Sequence, residues 1–278
     1  MAAGLTVGVS TPALAEFEIQ ESEVERGESE LEYRGAVHSG VPKSEDDDGG
    51  DDDEVDELEE EEEGEGVRQS HEFEFQYGLT DRILLSASVA TDEPIEGNFG
   101  LAGGELEGQY ELIEREGGAI GFAIIGAYGF ATRGGEADEI EFGTITELAS
   151  GPFLLTFDQF FAAEVGDNRE SGGLGFEYGW RAEYKVAQHW GLGVEMFGEI
   201  EQLAHSGPFD DQNHSFGPTL FYNPGDGDSN IGGLGDYDDD DEIAGEPEME
   251  FVFNVGLQFG LTDAASDTAL KFQGGVEF

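Results

Sequence analysis

Cysteine is absent from the 278 residues, and basic residues are scarce: 11 Lys and Arg stand against 65 Asp and Glu, for a net charge of −54. Without cysteine there is no disulfide scaffold, no thiolate zinc site and no cysteine nucleophile. A chain this negative lacks the basic footprint that nucleic acid requires, so no nucleic-acid partner is expected. Long apolar runs are missing too. A spanning helix takes about 20 mostly apolar residues. The longest internal stretch without a charge, Gly117 to Thr132, has 16 residues, and five of those are Gly. Aromatics, by contrast, make up 11% of the chain. Charge of this size with few aromatics would mean disorder; this chain has rings to bury.

The acids are unevenly spread. Residues 44–66 hold 16 of them, and residues 224–248 hold 10 more, including the run Asp238 to Glu242. Both stretches, within connections spanning 40–66 and 223–248, read as disordered, self-repelling loops. Asp226, Asp228 and Asn230 resemble the start of a calcium-binding EF-hand loop. However, the sixth position is Ile231 rather than Gly, and the twelfth is Tyr237 rather than Glu, so that motif is rejected.

Residues 1–15, MAAGLTVGVSTPALA, are free of charge and end in Ala13-Leu14-Ala15 before Glu16. That is the apolar core and small-x-small cleavage site of an export signal, lacking only its basic start. Residues 16–28 are then expected to be a periplasmic N-terminal segment ahead of the first strand.

The dominant pattern has a period of two. In 174–186, Leu174, Phe176, Tyr178, Trp180, Ala182, Tyr184 and Val186 fall on one face, while Gly175, Glu177, Gly179, Arg181, Glu183 and Lys185 fall on the other. One face carries no charge, which marks a half-apolar strand. The alternation recurs and predicts twelve strands near 29–39, 67–78, 82–92, 101–115, 119–132, 138–149, 152–165, 173–187, 189–203, 212–222, 249–260 and 267–278. Sandwich strands run about 5–6 residues, whereas a strand crossing a bilayer needs about 9–11. The connections also alternate between tight (Gly78 to Asp81, Glu116 to Gly118, Ser150-Gly151, Ala187-Gln188) and long. Short turns on one side and longer loops on the other are the pattern of an outer-membrane barrel. The expected fold is therefore all-β: a single antiparallel transmembrane β-barrel of about 12 strands in meander order over residues 29–278.

With both termini periplasmic, Tyr77, Phe153, Tyr184, Trp190, Tyr222, Phe251 and Phe278 are expected at one rim, facing outward as an aromatic membrane girdle. The chain closes an alternating strand on Phe278. With Lys271 and Val276, that ending resembles the C-terminal assembly signal of bacterial outer-membrane proteins, although Gln273 stands at the position of the usual Gly and Gly274 follows one place late. The resemblance implies recognition by the outer-membrane assembly machinery. The turn Gly78-Leu79-Thr80-Asp81-Arg82 and the Phe-rich strands are similar to alphaproteobacterial transporter-like barrels of the phenol-degradation type, which implies a porin-like role without naming a solute.

The opposite face of each strand should line the interior. The first four strands supply Glu32, Arg34, Glu72, Glu74, Glu105, Glu107 and Glu111. The middle strands add Glu141, Glu147, Asp158, Glu164, Glu177, Arg181, Glu183 and Lys185. The last strands contribute Glu195, Glu199, Glu201, Glu250, Lys271 and Glu277. Unpaired charges inside a barrel must stay wet, because desolvating each costs several kcal/mol. A water-filled lumen with a negative wall favours cations. The inward face of 119–132 is small (Ala119, Gly121, Ala123, Ala127, Gly129), which leaves room for the lumen or for an inserted segment. The expected function is a passive outer-membrane pore for small polar or cationic solutes. The alternatives are a blocked barrel serving a structural or surface role, and a soluble, secreted, halophile-type β protein. The partners implied are a lipid bilayer, lipopolysaccharide and, at the acidic loops, divalent cations. No catalytic constellation, metal site or cofactor is expected.

Overall fold

The computed structural model describes residues 17–42, 66–95, 97–115, 119–166, 168–169, 173–223 and 249–278. The expected export signal and most of the two acidic stretches lie outside these residues. Twelve strands form: β1 (Ser29–Ser39), β2 (Val67–Thr80), β3 (Ile83–Pro94), β4 (Gly100–Ile113), β5 (Ile120–Ala131) and β6 (Asp138–Ser150), followed by β7 (Phe153–Val165), β8 (Gly175–Ala187), β9 (Trp190–Ile200), β10 (Asn213–Tyr222), β11 (Glu250–Gly260) and β12 (Thr268–Glu277). Each pairs antiparallel with its neighbour in sequence, and β1 pairs with β12, so the sheet closes into a barrel. Closure removes the free edges an open sheet would leave, and every wall strand finds backbone partners on both sides.

The strand ends show where local pattern stops deciding. The ninth strand is expected to run to 203 but stops at Ile200, because Leu203–His205 turns into a short 3-10 helix and Phe209–Asp211 forms another before β10. Neither contains a buried residue.

Both chain ends of the barrel lie at one rim, called here the terminal rim, where Ser29 and Phe278 exchange backbone hydrogen bonds of 3.0 and 2.9 Å. The tight turns, among them Asp81-Arg82 and Gly151-Pro152, sit on this rim. Tyr222 pairs with Trp190 on one side and Phe253 on the other, so the acidic β10–β11 connection also leaves from it. The two Gly-Leu-Thr-Asp copies, at 78–81 and 260–263, lie at opposite ends of the barrel.

The wall has two contrasting faces. Leu106, Phe142, Phe73 and Leu155 are among many large apolar side chains that point out and remain exposed. Inward positions are polar or small and are buried by one another. A small apolar patch of Ala123, Ile125 and Ile145, with Phe160 against it, interrupts the polar interior. On the outer face two glycines make room for paired rings, stacked in one case and tilted in the other. His71 accepts or donates a 2.9 Å hydrogen bond with the Tyr33 hydroxyl beside Gly35, and His214 does the same with Tyr178 at 3.2 Å beside Gly198.

Candidate functional site: the barrel lumen

On each strand the expected lining residues lie on the face opposite the large exposed apolar side chains. Glu32, Glu72, Glu74, Glu111, Glu141, Glu147, Asp158, Arg181, Glu195 and Lys271 are buried. Glu105, Glu107, Glu164, Glu177, Glu183, Lys185, Glu199, Glu250 and Glu277 are half-buried. Glu201 falls past the end of β9 and is exposed, so it is not part of the wall. Two buried inward acids, Asp92 and Glu139, were missed. Asp92 continues the inward series Ser86, Ser88 and Ala90 of β3, beside a bulge whose extra residue, Ala102, is on β4.

The terminal half of the lumen is organised by very few bases. Arg34 lies opposite Glu72 across the β1–β2 pair, and Glu32 lies opposite Glu74. The guanidinium gathers all of them: Nη1 is 3.0 Å from Glu32 and 2.7 Å from Glu74, and Nη2 is 3.0 Å from Glu72. Its planar fork suits such multiple carboxylate contacts better than a lysine would. The Gln273 amide donates to Glu32 at 2.6 Å and in turn accepts from Asn254 at 2.6 Å. Further round the wall, Lys271 sits 2.7 Å from Glu195, which also accepts from the Thr219 hydroxyl at 2.6 Å.

A fourth carboxylate on Arg34 comes from an unexpected place. Glu18 lies 2.7 Å from Nη1. The oxygens of Glu18, Glu32 and Glu74 lie close enough together to suggest a metal site. The Arg34 guanidinium, within 3.0 Å of each, already fills that role.

Glu18 belongs to residues 17–28, which correct the expectation of a segment lying in the periplasm. This segment, called the strap, runs up inside the barrel. At the terminal rim it turns over the end of β2, where the Gly27 amide donates to Gly78 O at 2.8 Å. Gly27 takes a φ of +87°, and a Cβ on Gly78 would lie 1.8 Å from Glu25 O, so both positions need glycine. Higher up, Arg115, just beyond β4, contacts Glu23 at 3.2 Å and Glu147 at 3.3 Å. Both the amide and the hydroxyl of Ser22 donate to Glu147. The Gln20 amide donates to Asp158 at 2.7 Å and its side chain to Glu107 at 3.0 Å. Gln109 donates to Glu21 O at 3.0 Å, and Arg181 meets the Glu21 carboxylate at 3.1 Å. At the top, Lys271 donates to Phe17 O at 3.2 Å, while the Phe17 ring packs against His38 and Phe197.

The small inward residues leave space for this insertion. A Cβ on Gly121 would come within 2.3 Å of the Ser22 hydroxyl, and one on Gly179 within 3.2 Å of Ile19. The strap buries Ile19, Ser22 and Val24 completely or nearly so.

The far half of the lumen contrasts with this. Glu139 faces Glu164 across β6–β7, and Glu177 faces Glu199 across β8–β9. The electrostatic neighbours of Glu177 are Glu199, Glu139 and Glu105, all acids. Nearer that rim, Arg133 forms a two-point ion pair with Asp92.

The seven aromatics expected to form a girdle all lie on the terminal rim, at the ends of β2, β8, β10 and β12 and the starts of β7, β9 and β11. Six are exposed. Tyr222 is half-buried, because Trp190 and Phe253 cover it with ring centroids at 4.8 and 5.1 Å.

The fold and its interior define a closed, twelve-stranded antiparallel barrel with an apolar outside and an acidic, strapped inside. No family model matches the chain, and no curated protein sequence does. Among solved structures it is similar to the NanC porin, with a TM-score of 0.49, 10% identity and coverage of 89% of this chain and 98% of that one. It is likewise similar to the KdgM porin, at 0.47, 8%, 90% and 98%. The outer membrane protein Omp33 of Acinetobacter baumannii gives 0.40, 9%, 93% and 99%. Likenesses this distant carry no activity, solute or partner over to this chain.

Proposed function

We propose that this protein is a bacterial outer-membrane channel that passes small polar or cationic solutes through a wet, acidic lumen. The observation that carries this reading is the inversion of the wall. Large apolar side chains remain exposed all round the outside, while ionisable ones fill the inside. A soluble protein rarely leaves so large a contiguous apolar surface uncovered; a lipid-facing wall requires it. The rim aromatics then serve as the interfacial girdle, and Phe278 closes the strand read by the assembly machinery. Residues 1–15 act as the export signal. The acidic stretches at 40–66 and 223–248 bind divalent cations, and where they reach lipopolysaccharide the cations bridge the two.

Cation preference follows from charge. Acids outnumber bases along the lumen, and in the far half carboxylates face one another across neighbouring strands. Such groups persist as ions only in water, and a negative wet wall concentrates cations. Refolded protein in planar bilayers under a salt gradient should give a reversal potential of cation-selective sign. Anion selectivity would overturn the reading.

One observation favours the second reading, a barrel with a blocked lumen. The strap fills part of the interior. Absence of any conductance, from both the full chain and a chain without the strap, would decide for that reading.

A further inference from the structure

The strap carries Glu18, Glu21, Glu23, Glu25 and Glu28 against a single base, Arg26. It is an acidic segment lying inside an acidic barrel. Four bases hold it, each at a different point: Arg34 on Glu18, Arg181 on Glu21, Arg115 on Glu23, and Lys271 on the carbonyl of Phe17. Three of these bases are wall residues of β1, β8 and β12, and two of them, Arg34 and Lys271, hold the strap together with acids of the wall. The strap belongs to no strand. The β1–β12 and β1–β2 ladders close the barrel without it. Withdrawing it would break no strand-to-strand hydrogen bond. It is tethered at the rim through Gly27, whose amide is bound to Gly78 O, and its apolar hold is limited to Phe17, Ile19 and Val24.

We propose that residues 17–25 are a displaceable acidic ligand of the lumen, and that Arg34, Arg181, Arg115 and Lys271 form a binding track for an extended acidic peptide, which the chain fills with its own N-terminal segment. Occupied, the track narrows the pore; vacated, it opens the pore and can accept the same peptide from solution. This rests on the channel reading above. The sequence pattern fits the track: acids at 18, 21 and 23 reach bases on separate strands, while the uncharged Gln20 and Ser22 supply donors to the acids of the wall, Asp158, Glu107 and Glu147. A segment with acids at 20 and 22 would set a carboxylate against Asp158, Glu107 or Glu147 in place of these donors.

Three proteins test the proposal in planar bilayers: the full chain, a chain lacking residues 17–25, and the full chain with Glu18→Gln, Glu21→Gln and Glu23→Gln together. Heat-modifiable gel migration first establishes that each barrel is folded. The deletion should raise single-channel conductance several-fold, and the triple substitution should raise the open fraction. A synthetic peptide of residues 17–28 added to the deleted barrel should return conductance toward that of the full chain, and the same peptide with the three Gln should not. A folded deletion barrel that conducts like the full chain, or one blind to the peptide, overturns the proposal. Because the chain has no cysteine, Ile19→Cys supplies a readout that needs no current. A membrane-impermeant maleimide should label it slowly in the otherwise unaltered chain and several-fold faster alongside the three Gln. If no protein conducts, the channel reading fails while the labelling still decides displaceability; equal labelling rates overturn it.

Discussion

At the scale of the residue, this protein is governed by how few bases it has. Arg34 contacts four carboxylates, Lys271 and Thr219 share Glu195, and Arg115 bridges Glu147 and Glu23. Acids without a base in contact find neutral donors, as Glu107 does in the Gln20 amide and the Ser86 hydroxyl. Glu28, just before β1 at the rim, has no such help. Burial pushes its carboxyl from 4.5 up to about 7, and the Glu25 charge with a hydrogen bond shared with it adds to the rise. The folded state therefore favours the neutral acid. Its contribution to stability is complete below about 4.5 and is lost as the pH climbs through about 7. The urea midpoint of the refolded barrel should consequently fall between about pH 5 and 8, and Glu28→Gln should flatten that slope. An unchanged slope in the variant would show that the rim carboxyl plays no part.

At the scale of the element, each strand is a two-faced object whose faces answer to different solvents. Leu106 lies at the middle of β4, pointing out between neighbours that point the same way, Ala87 on β3 and Tyr128 on β5. It is more than half exposed. If that face meets hydrocarbon, Leu106→Lys should cost about 2–4 kcal/mol, the penalty for a lysine at the midplane of a transmembrane barrel. Folding titrations into phospholipid vesicles would measure it. A cost below about 0.5 kcal/mol, the usual range for a solvated surface, would place the face in water. The same alternation made the strands readable from the sequence: β1 runs over the expected 29–39, and most other boundaries fall within two residues. The two missed acids, Asp92 and Glu139, continue the inward alternation of β3 and β6 close to the far ends of their strands, next to the loops, and a 3-10 turn cut β9 short.

At the scale of the whole molecule, charge is sorted by place. The acids avoid the outer wall and collect in loops and lumen, and on the channel reading proposed above selectivity is a property of the field inside the barrel rather than of a single site. That field is screened over about 10 Å at 0.1 M salt and about 3 Å at 1 M. The proposed cation preference in a salt gradient should therefore shrink as both baths are raised toward 1 M. A preference that held undiminished would point to tight local coordination by particular carboxylates instead.

The sequence by itself determined the twelve strands and the apolar face of each, because both follow from side-chain alternation along a single strand. Only the tertiary structure decided what occupies the interior. The strap reaches Lys271 across 254 positions and Asp158 across 138, contacts that no local period records. Residues 17–28 form no strand and touch the β2 backbone only at Gly27 and Glu28, so they display no strand pattern of their own and read as a tail. Their place became visible only when the closed barrel brought Arg34, Arg181 and Lys271, scattered along the chain, to face one another around a space small enough for an acidic segment to reach them all.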